Sequence, residues 1–291
     1  MTNTEIVEVG TMDEKTLLAM YQQRFAEEGP AAGTSSADNL GRVRILRDNA
    51  EDANGDIIAP SGHFAVTSNG ETYYAKTVSF RYFDHRHRYK RYDADVERKN
   101  RDGTTSRGSY IHSVLVQGQR DEAPSEDGSF QCGRSLEFIK DWSSLSKDRQ
   151  EFIKSCRIMT IYFGEVRVIG KSKSGEDCDV VIPVEMELSG KTSGKTLAKF
   201  YHDVVTKYRT VPNFVDVELK AKKISGGVTY YDIEPSLTGD PVHKMDDAAI
   251  ALFSKFGDHI RQINKWIMEK HDSNVGQPAQ SSSMDDFVDV E

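Results

Sequence analysis

The chain has 291 residues, 37% hydrophobic and 9% aromatic, enough to bury the core of one large domain or two small ones. A net charge of −8 argues against general avidity for duplex DNA, which ordinarily shows as a basic domain, so any polyanion must be held locally. No apolar run approaches a membrane span, the start does not read as a signal peptide, and three scattered cysteines give no disulfide framework; the expectation is a soluble, cytoplasmic protein.

In chain order, Thr11-Met-Asp-Glu14 has the form of a capping box, and Leu17, Leu18, Tyr21 and Phe25 follow at helical spacing until Gly29-Pro30. An N-terminal helix and linker are expected over 1–40. A β-rich domain follows over 41–238. Arg42–Leu46 reads as a strand and Asn54-Gly55 as a turn, with further strands at Glu71–Asp84, Tyr110–Gly118, Arg157–Gly170 and Asp177–Ser189. A helix near Thr196–Tyr208 precedes a hairpin of Val215–Ile224 and Val228–Glu234. A three-residue loop, Ser225–Gly227, sets Ala221 against Tyr231, Leu219 against Ile233, Lys220 against Asp232 and Lys222 against Tyr230, separating apolar from charged faces. Phe253, Phe256, Ile260, Ile263 and Ile267 then recur at spacings of 3, 4, 3 and 4. That seam marks a C-terminal helix over 244–271, packed on the β-domain or against a second copy in a homodimer. Residues 272–291 read as a flexible acidic tail.

Between Phe80 and Tyr92 stand five aromatics, five Lys or Arg and two His in thirteen positions. A single-stranded nucleic acid needs this mixture, because cations track phosphates while flat rings stack unpaired bases at roughly 1–3 kcal/mol per base. Residues 81–107 hold nine basic and five acidic side chains. Strand alternation places Tyr74, Val78, Phe80 and Tyr82 on a core face and Tyr73, Arg81 and Phe83 on the other. The expected platform is therefore Tyr73, Phe83, Tyr89 and Tyr92. Phosphates would pair with Arg81, Arg86, Arg88, Lys90, Arg91, Arg98, Lys99 and Arg101. Lys220, Lys222 and Tyr230 either extend the groove or form an ordinary solvated sheet face. The plainer alternative for the whole cluster is a salt-bridged loop.

Other motifs carry less. Ser189-Gly-Lys-Thr-Ser-Gly-Lys-Thr196 has Ser where a phosphate loop needs its first Gly. The preceding strand alternates Ile182, Val184, Met186 and Leu188 with Pro183, Glu185 and Glu187, whereas nucleotide loops follow buried parallel strands. A turn and helix start is expected there. His85, His87, His112 and the cysteines lack paired zinc-ligand spacing, so the cysteines read as buried thiols; no metal, cofactor or catalytic residue is expected. Acidic pairs such as Glu185/Glu187 and Glu218/Glu234 leave a metal-dependent nuclease as the enzymatic alternative.

The β-rich region 41–236, the linker 273–283 and the tip Asp285-Asp286-Phe287 together resemble the single-stranded DNA-binding proteins of tailed phages and bacteria. The resemblance implies a β-rich α+β fold: an OB-like Greek-key barrel elaborated with helices, a C-terminal amphipathic helix and an acidic tail. It implies protection of single-stranded DNA in replication and recombination by a phage-encoded, non-enzymatic protein in the host cytoplasm. Asp285, Asp286, Phe287, Asp289 and Glu291 would recruit replication and recombination proteins and compete with DNA. Two features depart from the family: Phe287 is followed by Val-Asp-Val-Glu, and the zinc cluster of one phage subfamily is missing. The alternative is a protein-interaction module such as a polymerase cofactor or inhibitor.

Overall fold

The computed structural model describes residues 40–275, apart from 53, 100–104, 120, 131–141, 226–229 and 243–246. The expected N-terminal helix and the acidic tip lie outside the described residues. Nine strands form one mixed sheet: β1 (Gly41–Ile45), β4 (Phe64–Ser68), β5 (Glu71–Ala75), β6 (Thr77–Lys99), β7 (Thr105–His112), β8 (Arg157–Ser172), β9 (Asp177–Ser189), β10 (Val215–Ile224) and β11 (Tyr230–Val242). A small separate hairpin pairs β2 (Ala50–Glu51) with β3 (Ile57–Ala59) around the expected Asn54-Gly55 turn. The described helices are α1 (Lys147–Ser155), α2 (Ser193–Tyr208) and α3 (Asp247–Val275). The β-rich α+β expectation holds.

One edge of β8 pairs with β9 from Met159↔Ser189 to Lys171↔Asp177. Its other edge pairs first with β6 and then with β5. Because β5 continues through β4 to β1, and β1 meets β9 in parallel at Gly41↔Val184 and Arg42↔Glu185, five strands close partly into a ring. After α2, β10 returns to the free edge of β6 at Leu219↔Val78 and Asp216↔Arg81. The resulting order on this side is β10-β6-β8-β9.

Alternation decides which side chains fill this frame. Phe80, Tyr82, Tyr162, Val166, Val168, Ile182, Val184 and Met186 point into the main core, and α2 covers it with Leu197, Tyr201 and Val204 at helical spacing. A bend at Lys76 splits the single strand expected over Glu71–Asp84. It turns Ala75 into the main core, with Tyr73 packed against it, and sends Tyr74 into a smaller cluster with Leu46, Ala59 and Ala65.

The opposite face of β6 and β8 belongs to α3. Phe256 and Ile260 pack on Phe83, Ile161, Phe163 and Leu115, while Ile267 packs with Tyr89, Ile111 and Ile158. The Asn264 amide accepts from Leu115 N at 2.7 Å and donates to Leu115 O at 2.9 Å, as a neighbouring strand would. The hydrophobic seam thus packs on its own sheet, the first of the two places expected for it. The helix also outruns its expected end. His271 Nδ1 meets Ser125 O at 2.8 Å and the Asn274 amide donates to Glu126 O at 2.9 Å, which holds the last turn down.

The final hairpin differs in register. Ile224 pairs with Tyr230, Lys222 with Asp232, Ala221 with Ile233 and Lys220 with Glu234, so five residues separate the strands rather than three. A shift of two preserves the faces, because side chains alternate with period two.

Candidate nucleic-acid interface

The basic strand lies at the centre of the sheet, and this sets what its cations do. Arg81 faces Glu165 at 3.8 Å, Arg86 meets Asp84 at 2.5 Å, and Arg88 lies 3.9 Å from Glu187, which Lys90 also contacts. Arg91 bonds Asp93 at 2.9 Å and lies 3.7 Å from Asp127. Their side chains are only 12–20% exposed. These five cations are ion-paired as the plainer alternative expected, but half-buried on a central strand rather than in a loop. Arg98 and Lys99 lie on β6 opposite Ser106 and Thr105, and Arg101 falls outside the described residues.

Two members of the expected platform are corrected. Phe83 is 2% exposed against Phe256, with ring centroids 5.5 Å apart, because the sheet face on which alternation places it lies under α3. Tyr89 is also 2% exposed, its hydroxyl donating to Gln119 O at 2.6 Å. Tyr73 is half-buried against the main core. Phe83 and Tyr89 thus present no open face for stacking.

Tyr92 does. Pairing of β8 with β6 ends at Lys90↔Arg157, so beyond it β6 and β7 continue as a two-stranded ribbon. Tyr92 sits directly opposite Tyr110 there, 53% and 40% exposed, their ring centroids 5.3 Å apart and edge to face. The Lys90 ammonium lies 4.9 Å from the Tyr110 ring centre. Gly108, at φ +86, leaves the space this geometry needs: a Cβ there would come within 2.0 Å of the Tyr92 hydroxyl. Tyr110 was missed at the sequence level, although its place in an expected strand made it a cross-strand partner candidate.

On the last hairpin, Tyr230 is 47% exposed, while Lys220 and Lys222 pair with Glu218 at 2.9 Å and Glu234 at 3.9 Å. This is a solvated, ion-paired face. Histidines divide between two environments. His112, beside Arg88, is held at about 4 by burial and that guanidinium. His85 and His87 lie with rings 5.5 Å apart, and burial also keeps both low, His87 at about 4. Burial alone would push the Glu185 carboxyl up, but His259, Arg88 and Arg42 outweigh it and hold it below the usual range. Among the described residues no group of three or more His, Cys, Asp or Glu is arranged for a metal, and Cys156 and Cys178 are half-buried free thiols.

Charge is segregated along the chain. Residues 1–38 carry seven acidic and two basic side chains and 272–291 carry five acidic and none; of the total −8, the body between is left with +2. No described helix is long and apolar enough to cross a membrane. No protein-family model, curated protein or solved structure matches the chain.

Proposed function

We propose that this is a non-enzymatic single-stranded DNA-binding protein, phage-encoded and acting in replication and recombination, which holds its strand on the β6–β7 ribbon. The observation that carries the reading is the exposed Tyr92–Tyr110 pair with Lys90 at its edge. Two rings offer stacking surface indifferent to base identity, and nearby cations supply a sequence-independent attraction. Arg107, 76% exposed and 3.2 Å from the exposed Asp95, and the neighbouring Arg98, Lys99 and Arg101 in the chain would meet phosphates. The partly closed five-stranded ring supports an OB-like barrel as the finer fold reading. The acidic tip, through Asp285, Asp286, Phe287, Asp289 and Glu291, would recruit partner proteins. Tyrosine fluorescence titrated with oligo-dT and with duplex of equal length tests it: quenching is expected with the single strand first, and no response to oligo-dT would refute it.

The second reading is a protein-interaction module such as a polymerase cofactor or inhibitor. Neutralisation of Arg81, Arg86, Arg88, Lys90 and Arg91 by carboxylates favours it.

A further inference from the structure

A cleft of about 320 Å³ opens between the turn into α2 and the β6–β8 face that α2 covers. That size admits a small ligand rather than an ion alone. Two imidazoles line it. His85 Nδ1 lies 2.8 Å from the Tyr82 hydroxyl, and His87 Nδ1 lies 3.3 Å from the Thr160 hydroxyl. His87 is 8% exposed, and the other nitrogen of each ring has no hydrogen-bond partner among the described residues. Burial keeps the Tyr82 phenol protonated. A neutral ring that accepts a hydroxyl proton at Nδ1 carries its own proton on Nε2 and offers it to a ligand.

Lys191 and Lys195 complete the lining from the other side. Both are exposed and, unlike the cations of β6, have no ion-pair partner among the described residues. No carboxylate lines the cleft. The Tyr162 hydroxyl is already committed to Gly194 O at 2.9 Å, and Gly194 lets the turn lie close on Thr160. Tyr162 therefore positions the turn, leaving the histidines and lysines to meet what enters. Two fixed neutral donors and two mobile ammonium groups suit a small dianion with several oxygens, although the Asp121 carboxylate acts on His87 from outside the lining.

We propose that this cleft is a phosphate-monoester site, in which His85, His87, Lys191 and Lys195 hold one terminal phosphate of a nucleotide or of a strand end. The strand-end source rests on the single-strand reading above; the nucleotide source does not.

The test follows the histidine side-chain resonances of the full-length protein by NMR during titration with inorganic phosphate and with dTMP. Oligo-dT with and without a terminal phosphate is compared in parallel. Saturable movement of His85 and His87 is expected with phosphate and dTMP. A Lys191→Ala/Lys195→Ala variant should weaken it about tenfold or more without lowering the melting temperature, since both side chains are exposed. Absence of movement with phosphate and dTMP, or unchanged movement in the double variant, overturns the site whatever oligo-dT does at the ribbon. If the site responds and terminal phosphorylation tightens oligo-dT binding through the lysines, strand ends are its source. If it responds and phosphorylation has no effect, free nucleotides are. Movement without any oligo-dT binding would sink the single-strand reading and leave the cleft standing.

Discussion

Tyr92 and Phe83 stand nine positions apart on one strand, yet only Tyr92 has a free face. Removing an exposed stacking ring costs affinity; removing a buried one costs stability. Tyr92→Ala and Tyr110→Ala should each weaken oligo-dT binding by roughly 1–3 kcal/mol, with the melting temperature nearly unchanged. Phe83→Ala and Tyr89→Ala should instead destabilise the fold by about 3–5 kcal/mol in a thermal or urea melt. An unaltered melt for Phe83→Ala would mean that α3 does not cover that ring. The composition of Phe80–Tyr92 was legible as unusual, but which rings were open was not. Phe83 is covered by Phe256, 173 positions further on, and alternation gives the face of the ring without showing what lies over it.

At the scale of elements, β6 changes role along its length, from a central strand of the sheet to one half of a free ribbon. Glu187 marks the change, since it neutralises Arg88 and Lys90 just before the ribbon begins. Glu187→Gln should release two cations toward a bound strand, tightening oligo-dT binding at low salt while costing about 1–3 kcal/mol of stability, because half-buried charges lose their partner. Lower stability with unchanged affinity at every salt concentration would show those cations to be structural only. Asn264→Ala should strip Leu115 of both backbone partners, costing about 2–4 kcal/mol and speeding amide exchange over 113–119 first. Most elements were legible where alternation was long: β9 and β10 have their expected bounds. The strand β4 was missed although Asn69-Gly70, both at positive φ, is the two-residue hairpin turn that announces it. That signal was present and unused, whereas the Lys76 bend had none.

Over the whole molecule, buried histidines and segregated charge give two dependences on solution conditions. His87 and His112 stay neutral in the fold to about pH 4, and His85 is also lowered, chiefly by burial. In the unfolded chain they protonate near 6.5, so below that pH the unfolded state takes up protons that the folded state refuses. Stability should fall from pH 6.5 toward 4, each histidine adding a slope of up to about 1.4 kcal/mol per pH unit. The Asp84 carboxyl, raised by burial, acts in the opposite sense and blunts the fall at its lower end. Equal urea midpoints at pH 7 and pH 5 would contradict this. Deleting 284–291 removes four acids from a chain whose body is +2. Oligo-dT affinity should rise, most visibly at low salt, if the tip competes for the same ribbon. The most direct test of the ribbon as a single-strand site is a fluorescence-polarisation titration of labelled oligo-dT with wild-type protein and a Tyr92→Ala/Tyr110→Ala variant of equal melting temperature. A large loss of affinity is expected in the variant, at salt concentrations where wild type binds well; wild-type affinity in the variant would contradict the account.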